Sequence, residues 1–132
     1  MSRYLLDSDA VIDYLAGVTP SVELIRDLHD RGESLCVCDV VVAEVYSGLN
    51  PKYRDKAQKL LTGCSFLVIE PEHAQLAGEW RYNNARRGIT LSTTDMLVAA
   101  VAYGHGATIV TGNTDDYPMA EVSVLPLPRV KS

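Results

Sequence analysis

The sequence predicts an α/β fold: a single-domain, three-layer arrangement over residues 1–132, with a central parallel sheet of about five strands covered by helices on both faces. Three observations lead there. Short runs that are apolar at every position alternate with segments whose apolar residues recur at helical spacing, and strands of that kind belong to parallel sheets buried on both sides. Glycines and prolines fall between the segments and seldom within them. A chain of 132 residues with 47% apolar content is one domain's worth, able to build a core without disulfide or metal staples.

Tyr4-Leu5-Leu6 is the first strand, ended by Asp7-Ser8-Asp9. Val11, Ile12 and Leu15 then follow helical spacing and stop at Gly17. Thr19-Pro20-Ser21 opens a second helix, with Val22, Leu24, Ile25 and Leu28 apolar, and Gly32 closes it. Leu35 to Val37 reads as a buried strand, after which Asp39 can cap a helix from Val40 to Leu49. Asn50-Pro51 breaks that helix. Lys52 to Leu61 forms the next, closed by Gly63. Phe66 to Ile69 is a continuous apolar strand, and a helical stretch runs from about Glu72 to Arg87. The most apolar helix, Thr93 to Tyr103, is stopped by Gly104 and Gly106; Thr108 to Thr111 is the fourth strand and Val122 to Leu125 the fifth.

The chain carries 17 acidic against 12 basic side chains, a net charge of −5. That excess counts against a nucleic-acid binder working through a broad basic surface. No apolar run approaches the ~18 residues needed to cross a bilayer, so no membrane role is expected, and the N-terminus does not read as a signal peptide. Cys36, Cys38 and Cys64 lack the second cluster a zinc site needs and read as reduced core thiols of a cytoplasmic protein.

In sheets of this kind a site forms beyond the carboxyl ends of the strands, where strand order switches. Acids gather at those ends. Asp7 ends the first strand, and Thr111-Gly112-Asn113 with Asp115 and Asp116 follows the fourth. Glu44 lies in Val40-Val41-Val42-Ala43-Glu44-Val45-Tyr46, a run otherwise without charge, and its same-face neighbours Val40, Val41, Ser47 and Gly48 make no polar stripe. Asp95, in Ser92-Thr93-Thr94-Asp95, opens a helix that is apolar on every side. Each acid has a local explanation as a cap, a turn residue or a rim position. Jointly, carboxylates crowded at one sheet edge repel unless a cation holds them, and an oxygen-only set suits Mg²⁺ or Mn²⁺.

Four blocks carry a family resemblance: Leu5 to Leu15, Val42 to Leu49, Thr94 to Ala102, and Val110 to Tyr117. Together they span essentially the whole chain, Leu5 to Leu127, which resembles a PIN-domain nuclease of the VapC type, the toxin of a bacterial toxin–antitoxin pair. The resemblance implies a Mg²⁺-dependent endoribonuclease with metal-coordinating, catalytic acids at Asp7, Glu44 and Asp95 and a fourth from the last block. In the family that acid falls where Asn113 or Asp116 stands, and Asp115 is close by; Asp116 is favoured, with Asn113 and Thr111 as polar support. Ser8 or Thr111 would hydrogen-bond a phosphate oxygen or a metal-bound water. Asp9 stands where the family usually has Asn and is read as a helix cap. The resemblance also implies an RNA substrate, a VapB-type antitoxin and a homodimer.

Basic side chains group at Lys52, Arg54, Lys56 and Lys59 and again at Arg81, Arg86 and Arg87; Lys52, Arg54, Arg86 and Arg87 are candidates for RNA phosphate contacts. Tyr46, Leu49 and Tyr53 are candidates for a dimer or antitoxin contact, and His29, His73 and His105 are expected at the surface. Two other readings compete. A haloacid-dehalogenase-like phosphatase would use Asp7 as nucleophile and Asp9 as general acid, but needs a Lys ahead of its last acids, and none lies between Lys59 and Lys131. A receiver-like signalling or interaction module needs an Asp after strand three and a Lys after strand five, where Glu70 and Leu127-Pro128-Arg129 stand. Setting aside Asp7, Glu44, Asp95 and Asp116 leaves 13 acids against 12 bases, so the acid excess is concentrated in one expected pocket.

Overall fold

The structure, a computed structural model, describes residues 1–128; Arg129 lies outside the described residues. Five strands, β1 (Arg3–Leu6), β2 (Ser34–Cys38), β3 (Ser65–Leu67), β4 (Ala107–Thr111) and β5 (Val124–Pro126), form one sheet in the order β3-β2-β1-β4-β5. Every pairing is parallel. The helices are α1 (Ser8–Leu15), α2 (Thr19–Asp30), α3 (Asp39–Ser47), α4 (Arg54–Thr62), α5 (Pro71–Arg86) and α6 (Thr93–Gly104), with short 3-10 turns at Pro51–Tyr53 and Thr114–Asp116. The α/β expectation is met.

Consecutive residues of a strand point to opposite faces. Leu5 and Leu6 of β1, and Ile109, Val110 and Thr111 of β4, are all fully buried, so helices cover both faces of the sheet centre. Each such side chain contributes roughly 1.5–3 kcal/mol relative to exposure. Register follows from this burial: Leu5 lies between Cys36 and Ile109, and Leu6 beside Val110. α6 is buried through Met96 and the run Val98 to Ala102, as its unbroken apolar composition requires.

Four local expectations are corrected. Phe66 to Ile69 is not a covered strand: β3 pairs only with β2, and Phe66 and Val68 are 53% and 54% exposed. β5 starts two residues later than expected, because Val122 is held in a turn by its N–H bond to the Met119 carbonyl. Asp39 is the first residue of α3; the cap position is Cys38, with no side-chain bond. His73 is buried, because its Nδ1 accepts from the Glu70 N–H at 2.9 Å to close the α5 cap and its ring packs where a Cβ on Gly104 would stand. His29 is exposed and His105 half-buried.

The thiols are free, Cys36 and Cys38 buried and Cys64 half-buried. Burial pushes Cys38 and Cys64 up to about 11, which keeps them protonated and unreactive. No described helix is long and apolar enough to cross a membrane.

The topology also fixes where a site can form. β2 and β3 lie to one side of β1, β4 and β5 to the other. Chain direction across the sheet therefore reverses between β1 and β4, opening a crevice beyond their carboxyl ends.

Candidate active site

Asp7 stands in that crevice. It is the residue after β1, tied to β4 by its N–H bond to the Val110 carbonyl at 3.0 Å, and it caps α1 in extended conformation. Its side chain is 6% exposed. Oδ1 accepts from the Ser8 N–H at 2.9 Å, and Oδ2 accepts from the Tyr117 hydroxyl at 2.7 Å. Both oxygens are directed by neighbours, and each keeps a lone pair.

Glu44 and Asp95 converge on it from two helices that pack together, α3 and α6. Glu44 is half-buried and its carboxyl is raised, first by burial, then by repulsion from Asp7 and Asp95, against a lowering hydrogen bond from Ser8. Asp95, in the first turn of α6, is raised by burial and by Asp116 and Asp7, with Ser92 acting the other way. Ser92 caps that helix, its Oγ accepting from the Asp95 N–H at 3.1 Å. The 3-10 turn after β4 brings Asp116 to half-burial beside Asp95, whereas Asp115 is exposed. Geometry thus favours Asp116 over Asp115 as the fourth acid.

Asp9 does more than the expected cap. Asp7 is the N-cap residue of α1; Asp9 sits within the first turn and accepts from its neighbour Ala10 N–H at 2.8 Å. It also reaches across to the end of β4, accepting from Gly112 N–H at 2.8 Å, Asn113 Nδ2 at 3.3 Å and Thr111 Oγ1 at 3.5 Å. Burial and the Asp7 charge raise its carboxyl, while the Gly112 and Ala10 N–H bonds hold it down. Thr111 Oγ1 accepts from the Asn113 N–H at 3.0 Å. Asp9, Thr111 and Asn113 therefore form one lock between α1 and the loop that delivers Asp116. A side chain engaged in this way by N–H donors is poorly placed to act as a phosphatase acid.

The residue that sequence reasoning missed is Tyr117. It stood at the end of the last family block, directly after the acid pair, and an aromatic with a polar tip next to a turn that must fold back on the core was the available signal. It is 4% exposed, and burial with the Asp7 charge pushes its phenol up, so it is a donor.

The basic residues are more scattered. Arg81 Nε donates to the Leu91 carbonyl at 2.8 Å, bracing the segment that leads into α6, and Arg87 donates to Asn84 Oδ1 at 2.9 Å at the end of α5. Arg86 lies over the Tyr82 ring at 4.1 Å. Lys56 donates to the Leu15 carbonyl at 3.1 Å, and Lys52 lies over Tyr53. Lys52 and Arg54 flank Tyr53, which lines a groove of about 190 Å³ with Ile12, Leu49 and other residues at the end of α1. Among the described residues the one ion pair is the exposed Arg31–Asp27 contact, and none involves Asp7, Glu44, Asp95 or Asp116.

The donors in this crevice are carboxylate and hydroxyl oxygens, the set a hard divalent cation takes. Among the described residues, no three acid, His or Cys side chains are drawn close enough to make a finished cage. By donor chemistry, these residues suit a hard divalent cation.

The PIN domain family model matches residues 4–124. The chain belongs to the PIN-domain family. It is 30% identical over 126 residues to Ribonuclease VapC11 of Mycobacterium tuberculosis, covering 92% of this chain and 94% of that protein. Its fold matches the structure of VapBC2 from Rickettsia felis bound to a DNA fragment from their promoter, with TM-score 0.82 and 17% identity over 94% of this chain and 98% of the other. It also matches DNA-bound VapBC from Salmonella typhimurium, with TM-score 0.81 and 18% identity over 97% and 100%.

Proposed function

We propose that this PIN-domain chain is a VapC-type, metal-dependent endoribonuclease, the toxin of a toxin–antitoxin pair, hydrolysing RNA phosphodiester bonds. One observation carries the reading: around the β1–β4 crevice Glu44 feels the charges of Asp7 and Asp95, Asp95 those of Asp116 and Asp7, and no ion pair among the described residues compensates them. Asp7 and Asp95 would hold Mg²⁺, with Mn²⁺ as a substitute, and Glu44 and Asp116 complete the set. When bound, the ion supplies Lewis-acid activation of water and neutralises charge on the scissile phosphate. The chain's own part is placement. Asp7 is oriented by Ser8 and Tyr117, Ser8 also steadies Glu44, and the Asp9–Thr111–Asn113 lock sets the turn that carries Asp116.

Arg86 and Arg87 are the better-placed phosphate contacts, because they end α5 just before the segment leading to Asp95. The solved relatives are VapBC complexes, which supports a VapB-type antitoxin as partner. The exposed Ile12 and Tyr53 give that partner, or a second copy in a homodimer, an apolar surface. Free thiols fit a cytoplasmic setting.

The test is RNA cleavage with Mg²⁺, Mn²⁺ or EDTA, beside Asp7→Ala and Asp95→Ala. Cleavage is expected with either ion, absent in EDTA, and lost in both variants. Metal-independent cleavage, or activity surviving both substitutions, overturns the reading.

A further inference from the structure

We infer that Tyr117 is a positioning residue for the metal site, its hydroxyl holding the Asp7 carboxylate in the orientation that receives the cation; this rests on the function proposed above. Asp7 needs such a partner. It is buried at the crevice floor, where a carboxylate is free to rotate about its last bond unless both oxygens are engaged. The Ser8 N–H engages Oδ1 from the chain's own next residue, which fixes one oxygen only. The Tyr117 hydroxyl, 110 residues away in sequence and 2.7 Å away in space, engages Oδ2 and completes the alignment.

Tyr117 also ties two proposed ligands together. It directly follows the 3-10 turn Thr114–Asp116, and its N–H bonds to the Thr114 carbonyl at 3.1 Å. The ring, buried in the core, anchors the turn that carries Asp116, while its tip clamps Asp7. One residue thereby sets the separation between the acid at the end of β1 and the acid after β4. A phenol suits the task. It is a neutral donor on a rigid ring, so it orients the carboxylate without supplying a positive charge that would compete with the cation.

Tyr117→Phe removes the hydroxyl and keeps the ring. Three readouts on the full chain test the inference: Mn²⁺ affinity by electron paramagnetic resonance of the free ion, kcat and KM for RNA cleavage, and Tm in EDTA. Loss of one charge-assisted hydrogen bond predicts Mn²⁺ affinity about tenfold weaker and kcat lower by a similar factor. KM for RNA should be unchanged and Tm within a few degrees of wild type. Tyr103→Phe, which removes a hydroxyl at an exposed position of α6, should match wild type throughout. If the wild type binds Mn²⁺ and cleaves RNA while Tyr117→Phe does both equally well, the inference falls alone. It falls also if Tyr117→Phe loses affinity only in proportion to lost folding. A wild type that neither binds Mn²⁺ nor cleaves RNA overturns the inference together with the reading beneath it.

Discussion

Asp9 separates the nuclease from its phosphatase rival, and its geometry sets the size of the effect. Of its four acceptor contacts, only those from Ala10 N–H and Gly112 N–H, both at 2.8 Å, are short enough to be strong. Hydrogen bonds to a charged group contribute about 1.5–3 kcal/mol each, but this carboxylate is half-buried and repelled by Asp7 and Asp13, which offsets part of the gain. Asp9→Ala should therefore destabilise by about 2–3 kcal/mol net, a Tm lower by about 10 °C for a chain of this length. Asp9→Asn keeps one acceptor oxygen, which can face Gly112, and sheds the repulsion. Its stability should lie within about 1 kcal/mol of wild type. Thermal melts in EDTA and RNA cleavage in Mg²⁺ check both variants. Asp9→Asn is expected to melt and cleave much as wild type does, and Asp9→Ala to melt early. Should Asp9→Asn abolish cleavage while Tm and Mn²⁺ binding stay intact, Asp9 is a reacting group and the lock is the wrong description. An unchanged Tm in Asp9→Ala would refute the energetic argument itself.

The acid cluster predicts a pH dependence of opposite sign to the usual carboxylate case. Asp9, Glu44 and Asp95 are all raised in the folded chain, so between their unfolded and folded pKa values the native state binds more protons than the unfolded one. Their contribution is fully present below the unfolded values, near pH 4, and is lost as pH rises through the folded ones. Tm in EDTA should carry this falling component. Added Mg²⁺ should raise Tm more at pH 7 than at pH 4, and Glu44→Gln should reduce both the pH slope and the Mg²⁺ effect; equal Mg²⁺ shifts at the two pH values would contradict the shared site. On the substrate side, Arg86→Ala with Arg87→Ala should weaken RNA binding and flatten its dependence on salt by about 0.7 per lost phosphate contact, measured by titration between 50 and 200 mM salt. An unchanged slope would place the RNA elsewhere.

The fold was legible because its signals are local and mutually consistent. Unbroken apolar strands and an all-round apolar α6 can only be satisfied by a sheet covered on both faces, and Glu44 stands out because nothing in its helix explains it. What escaped was long-range. Whether Phe66 and Val68 are covered depends on where β3 falls in the strand order, which its own residues do not encode. His73 looked like a surface residue until the cap at Glu70 and the bare backbone at Gly104 drew its ring inward. Asp9 was read from its immediate neighbours as a cap, yet three of its four partners come from the end of β4. Tyr117 matters through a contact spanning 110 positions.

The acids themselves show why such a site stays readable despite weak individual signals. A protein that needed these carboxylates only for structure could stabilise them cheaply with a lysine or arginine, of which the chain has 12. Yet among the described residues the single ion pair is at the surface, while Glu44 is raised by burial, Asp7 and Asp95, and Asp95 by burial, Asp116 and Asp7. A cationic side chain in the crevice would satisfy them and would also occupy the place of a divalent ion. With no ion pair to them among the described residues, their burial costs stability in the metal-free chain, and that cost is explicable where the cluster must stay open to a soluble cation. The hydroxyls of Ser8 and Tyr117 resolve the conflict: they hold the carboxylates in place with neutral donors, which lower repulsion little and keep the negative charge intact for the ion.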